Sequence, residues 1–377
     1  MDLYGERRNA KKTIVFLCAI VLAFLVADLL EKDVPFSKEE NRSLQMKPKF
    51  TWEALLSGNF MEDYETYIND QFIHRENWIL IQNVSDLLLQ KKEKNGVYLG
   101  KDDTLIEQHL PGEFSREQIE EKLGELMLLL ADFPQAKVML VPTADAVMTE
   151  KLPAFAPCFD QEHFLQQVEE CVGQDRMIDV YSVLRDHAEE ELYYRTDSHW
   201  TTKGAYYGYE AFAKAYPKPV RWYLLGQMQT VKEDFQGDLY ARVGLHAHPE
   251  AIHVFPRVLE EDTYRISYDG KETQTGFYEE EYLKGQGDYG FFLDGAHGLV
   301  EIERDTYIEG TLLVIKDSYA NAMIPLLAHH YKKIYVVDLD FFDTNLAEYM
   351  QTCEKYDNMD VLVLYNCIDF IENFQYP

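Results

Sequence analysis

Residues 311–337 read TLLVIKDSYANAMIPLLAHHYKKIYVV. TLLVI (311–315) is a short, wholly apolar run, followed by a turn and an apolar helical stretch ending near His330. IYVV (334–337) is a second such run; a helix-like segment at about 344–356 and a third run, VLVLY (361–365), complete the pattern. Strand, helix, strand, helix, strand with fully apolar strands is the mark of a buried parallel sheet covered by helices. Right-handed crossovers gather the loops after these strands at one sheet edge, where open α/β sheets carry their sites.

Working outward, VMLVP (138–142) reads as a further apolar strand, and MIDV (177–180) and VYLG (97–100) as short ones. Residues 115–132 place Ile119, Leu123, Leu126 and Leu130 on one face of an amphipathic helix. Between roughly residues 226 and 308, Gly, Tyr and acidic runs such as Glu279 to Glu281 predict strands and long loops inserted on or beside the main domain. Residues 51 to about 94 read as mainly helical, and residues 31–50, with Pro35 and Pro48, as a linker.

The N-terminus sets an address. Thr13 to Leu30 contains only two polar residues, Thr13 and Asp28, and reaches about 27 Å as a helix, against about 30 Å of membrane hydrocarbon. Arg7, Arg8, Lys11 and Lys12 precede it, so the positive-inside rule keeps residues 1–12 cytoplasmic and sends the chain from residue 31 outside. The rival reading, a cleaved signal peptide, would put bulky Leu25 where a small residue is wanted. The expected organisation is therefore a cytoplasmic segment 1–12, a transmembrane anchor 13–30, a juxtamembrane linker 31–50 and an extracytoplasmic domain 51–377.

The 377 residues carry 36 Lys+Arg against 66 Asp+Glu, a net charge of -30, which repels phosphate backbones and argues against nucleic acid as a partner. With 46% hydrophobic residues the exported part can bury a full core, so disorder is excluded for most of its length. Outside the membrane Cys158, Cys171, Cys353 and Cys367 could pair locally, as 158–171 and 353–367, or remain buried thiols.

Two segments carry chemistry. In IKDSYAN (315–321), Ser318 follows a strand at a tight turn into a helix, where a serine projects from the sheet edge and nearby N–H groups can face an oxyanion. Helix capping by Asp317 and Ser318 explains the same residues. In YYRTDSHWTTKGAYYGYEAF (193–212), Asp197 and His199 lie two apart before a helix capped by Thr201 or Thr202. Such a pair is either structural or a carboxylate fixing an imidazole whose Nε2 takes a serine proton. Trp200 could wall the site. Tyr319, Asn321 and Asn366 are candidate oxyanion or substrate contacts, with buried or capping roles as the alternative. The histidines His246, His248, His297, His329 and His330 form no recognised metal motif, and no metal or other cofactor is expected.

Together these segments resemble the DHHW proteins, relatives of the AlgX and AlgJ alginate O-acetyltransferases in the SGNH-hydrolase superfamily. The motif stands here as Asp197-Ser198-His199-Trp200 within TDSHWTTKGAY, and the serine block as KDSYANAMIPLL. ENRSLQMKPKF (40–50), the Phe60 to Trp78 segment, GVYLGKDDTLIE (96–107) and FFLDGAH (291–297) extend the resemblance.

The resemblance implies an SGNH-like three-layer α/β/α core with a mainly parallel sheet and a Ser318–His199–Asp197 triad. It further implies O-acetyl transfer to cell-envelope polysaccharide, with a membrane-bound acyltransferase partner as acetyl donor. Departures are Ser198 in place of His, Lys316 in place of a small residue, and Asp340 where arginine is expected. A polysaccharide acetylesterase and a non-catalytic polysaccharide-binding protein remain the alternatives. Ser318 Oγ within about 3.5 Å of a His199 nitrogen, with Asp197 on the other side, would favour catalysis.

Overall fold

The computed structural model describes residues 3–37, 42–244, 248–255, 264–273, 276–285, 288–305, 307–353 and 359–376. The chain divides into two compact units, Met1–Lys91 and Lys92–Pro377. Residues 51–91, grouped on sequence with the extracytoplasmic domain, fall in the first unit.

In the first unit, one helix spans Leu3–Leu30. The predicted helical stretch is three helices, Trp52–Ser57, Asn59–Asp70 and Arg75–Leu88. Thr51 caps the first by accepting from Ala54 N at 3.1 Å, and Gly58, at φ 89, ends it. The linker contains a short strand pair, Phe36–Ser37 with Arg42–Ser43. Among the described residues no helix is long and apolar enough to cross a membrane, so the expected span over 13–30 is left without support from that finding. Within the helix Asp28 interrupts the apolar run. Asp28 is also engaged, accepting from Ile73 N at 2.9 Å. The apolar side chains of this helix, among them Ile14, Phe16, Val21 and Leu25, are nonetheless exposed.

The second unit is built on a seven-stranded sheet. In chain order its strands are β1 (Lys137–Val141), β2 (Tyr264–Tyr268), β3 (Lys271–Thr273), β4 (Leu299–Arg304), β5 (Thr311–Lys316), β6 (Lys333–Val337) and β7 (Met359–Asn366). Their spatial order is β3-β2-β4-β6-β5-β7-β1. The four strands read from the sequence, β6, β5, β7 and β1, pair in parallel. β3, β2 and β4 pair antiparallel, and β4 joins β6 antiparallel. The sheet is therefore mixed rather than mainly parallel. The inserted region does not sit beside the domain; it extends the sheet. Its strand β4 has the half-buried alternation of an antiparallel strand, Val300 and Ile302 inward and Glu301 and Glu303 between them.

Successive residues of the parallel strands face opposite cores. Met139, Leu312, Val314, Leu362 and Leu364 pack with Trp200, Tyr209 and Phe212 near the helix Thr202–Ala215. Val138, Leu140, Leu313, Ile315, Val361 and Val363 pack with Leu126 and Leu130 of Arg116–Asp132, Phe164 of Gln161–Val172, and Phe370 of Cys367–Glu372. Helices on both faces give three layers, each buried Leu or Val adding about 1.5–3 kcal/mol. The expected strand at MIDV is instead a single bridge, Val138 to Met177. Asp179 ends it by capping the helix Val180–Asp186, accepting from Ser182 N at 2.9 Å. All five cysteines are free thiols, so neither local pairing forms.

Candidate active site

Strand β5 delivers Asp317 and Ser318 to the carboxyl edge of the sheet, where a 3-10 helix, Ser318–Ala322, begins. The capping and nucleophile readings are divided between the two residues. Asp317 takes the cap: its Oδ1 accepts from Tyr319 N at 2.9 Å, and its Oδ2 accepts from Asn366 N at 2.6 Å and Asn366 Nδ2 at 2.9 Å. That leaves the Ser318 hydroxyl exposed and uncommitted to the backbone. Pro325 sits in the first turn of the following helix, Ile324–Leu327, where its missing N–H costs nothing.

The Ser318 Oγ lies 2.8 Å from His199 Nε2. On the other side of the ring, His199 Nδ1 lies 2.7 Å from Asp197 Oδ1. A carboxylate only accepts, so Nδ1 carries the hydrogen and Nε2 presents a lone pair to the serine hydroxyl. Asp197 also accepts from His199 N at 3.0 Å and from Asp238 N at 3.2 Å. Thr201 caps the next helix, accepting from Gly204 N at 3.2 Å.

Asp197 is buried, which would push its carboxyl up, but the charge and hydrogen bonds of His199 and the Asp238 N–H outweigh burial and hold it below its ordinary value. Burial opposes charge on His199 as well; the Asp197 carboxylate overcomes this and raises the imidazole above its ordinary value. The arrangement can move a proton from Ser318 Oγ to Nε2 while Asp197 holds the resulting imidazolium.

Of the four further candidates, three have structural duties. Trp200 is fully buried, and its Nε1 donates to Tyr319 O at 2.8 Å. The Tyr319 hydroxyl donates back to Ser198 O at 2.5 Å. These two bonds brace the histidine segment against the serine segment, so Trp200 and Tyr319 position the site from within the core. Tyr319 N, held by Asp317, is spent as an oxyanion donor. Asn366 anchors Asp317 and caps the last helix, its Oδ1 accepting from Ile368 N and Asp369 N at 3.0 and 2.9 Å. Asn321 donates through Nδ2 to Gly295 O at 3.1 Å, while its buried Oδ1 has no hydrogen-bond partner among the described residues.

Other residues that sequence reasoning passed over complete the site. The Tyr289 ring stacks on His199 with centroids 3.7 Å apart and planes 10° apart. Asp238 holds Ser198, and Gly237 leaves room for Asp197: a Cβ there would stand 2.2 Å from Asp197 Oδ2. No spacing rule links residues 237, 238 or 289 to position 199; only the fold brings them together. Lys316 is buried and paired with Asp338 at 3.0 Å, whereas Asp340 is exposed at the surface. His246 lies outside the described residues; His248 and His297 bond to carboxylates. Among the described residues no three His, Cys, Asp or Glu side chains could hold a metal ion.

The DHHW protein family model matches residues 163–337. In fold, the chain is similar to a DHHW family protein from Eubacterium siraeum, with 24% identity, a TM-score of 0.60, and 76% of this chain and 97% of that one covered. It is likewise similar to Bacillus cereus PatB1, solved with a sulfonyl adduct, at 18% identity and TM-score 0.60, covering 73% of this chain and 95% of that one. No curated protein matches the chain. The matched segment contains Asp197, His199 and Ser318, and the resemblance to the DHHW family expected from TDSHW and KDSYAN is thereby shown.

Proposed function

We propose that this chain is a serine O-acetyltransferase acting on cell-envelope polysaccharide outside the cytoplasmic membrane. The observation that carries the reading is the continuous contact chain from Ser318 Oγ through His199 to Asp197, at 2.8 and 2.7 Å. Both distances fall within the range that favours catalysis over a purely binding role. His199 Nε2 takes the hydroxyl proton as Ser318 Oγ attacks an acetyl ester; the bond to the ester's alkoxy oxygen breaks, and that oxygen takes the proton from His199 as it leaves. The acetyl group, now on Ser318, then passes to a sugar hydroxyl activated by the same nitrogen.

The Ser318 N–H, without a hydrogen-bond partner among the described residues, is assigned as an oxyanion donor. The exposed apolar side chains of the first helix from Ile14 to Val26 support attachment to a membrane, beside an acetyl donor protein of the kind the family resemblance implies. Exposure of Ser318 also favours a second outcome, water as acceptor and hence acetylester hydrolysis.

Acetyl release from 4-nitrophenyl acetate by residues 31–377, compared with folded Ser318→Ala and His199→Ala variants, tests the reading. Activity confined to the parent supports it. Equal, near-background rates in all three refute autonomous acyl chemistry.

A further inference from the structure

Ser198 stands between the carboxylate and the imidazole, and its hydrogen bonds lead to a residue forty positions away. The Asp238 carboxylate accepts from Ser198 N at 3.0 Å, and its second oxygen lies 3.4 Å from Ser198 Oγ. The Asp238 N–H donates to Asp197 Oδ2 at 3.2 Å. Neighbouring groups clamp the same turn: Gly237 N donates to Thr196 Oγ1, Tyr240 N to Thr196 O, and Glu250 accepts from Arg195 N and Thr196 N. All of these partners come from the inserted region, 226–308. The insertion therefore grips the Asp-x-His turn.

We infer that Asp238 is a positioning residue of the site, fixing the 196–199 turn through Ser198 and adding a second negative charge that strengthens the hold of His199 on its proton. This rests on His199 being the base proposed above. His199 is faced by Asp197 on its own turn, by Asp317, Ser318 and Tyr319 from the end of β5 and the 3-10 helix, by Tyr289 across the ring, and by Asp369 from the last helix. Asp238 is faced by Asp197, His199 and Glu107. Its carboxyl reaches solvent on one side yet stands among many neighbouring atoms; that desolvation and the nearby Asp197 push it up to about 7.

Asp238→Asn keeps an oxygen for Ser198 N and removes only the charge, whereas Asp238→Ala removes both. The test is an NMR titration of the His199 ring in the full chain and its Asp238→Asn variant, read without reference to turnover. The expected result is a midpoint lower by roughly 1 unit in the variant, the low end of a nearby-charge effect. The acid limb of kcat/KM should move with it, and Asp238→Ala should lower kcat further, with KM little changed. An unmoved His199 midpoint in a folded Asp238→Asn protein overturns the inference. Because the titration needs no catalysis, an inactive parent would refute the acyl-transfer reading alone, and the midpoint would still decide whether Asp238 acts on His199.

Discussion

Gly237→Ala puts a single methyl group where the site has no room. The backbone there, φ -84 and ψ -160, suits alanine as well as glycine, so the whole effect comes from contact. The new Cβ would stand 2.2 Å from Asp197 Oδ2, 2.3 Å from its Cβ and 2.7 Å from its Cγ. Contacts of this kind do not fall below 3.0 Å, so the carboxylate oxygen must retreat by about 0.8 Å, the difference between 3.0 and 2.2. Overpacking of that order costs about 1–3 kcal/mol of stability.

The same displacement works against the 2.7 Å bond that orients His199. A misplacement near 1 Å lowers turnover by about 100-fold. Urea unfolding and steady-state hydrolysis of 4-nitrophenyl acetate read the two effects separately. The expected result is a folded protein, less stable by about 1–3 kcal/mol, with kcat depressed about 100-fold and KM little changed. Parent-like stability and kcat together would refute the claim that this turn holds Asp197 in place.

Further outcomes follow from the same geometry and from the charge of the chain. Because His199 must be neutral to accept a proton and is raised above its ordinary value, kcat/KM should climb with pH along an acid limb centred above about 6.5; a limb below that value would contradict the contact with Asp197. Asp197, held below its ordinary value, contributes stability that is present above about pH 4 and lost as pH falls through its folded value, so Asp197→Asn should flatten the acid side of a stability–pH curve. Lys316→Met strands Asp338 in the core and should cost about 3–5 kcal/mol, whereas Lys316→Met with Asp338→Leu should recover most of it, as denaturant midpoints would register. With a net charge of -30, acceptor assays should favour neutral glycans over uronate polymers, with the gap narrowing as salt rises.

What the sequence made legible was the part governed by local pattern. The apolar runs at 138–141, 311–315, 334–337 and 361–365 form the cores of the four parallel strands, because strands buried on both faces favour continuous apolar sequence. Ser318 at the end of such a strand and the Asp197–His199 pair before a capped helix are visible for the same reason. The insertion is not: its strands are short and half-polar, and their pairing with β6 through β4 depends on contacts distant in sequence. The residues that refine the site, Asp238, Gly237 and Tyr289, come from that insertion.

Trp200 and Tyr319, from the two motifs, and Asn366, from the end of β7, are neighbours of the site, yet their bonds to one another and to Asp317 make them braces. A side chain's polarity signals that it needs a partner; the sequence does not say which. At MIDV the apolar pair Met177 and Ile178 has the pattern of a strand, and the capping demand of Asp179 wins instead.

The most direct test is to quench the reaction of residues 31–377 with an activated acetyl ester at early times and locate the adduct by peptide mass spectrometry. One acetyl group on Ser318, absent from Ser318→Ala and from His199→Ala, is the predicted result. Turnover that persists in Ser318→Ala, or an acetyl group carried on another residue in the parent, would contradict the account.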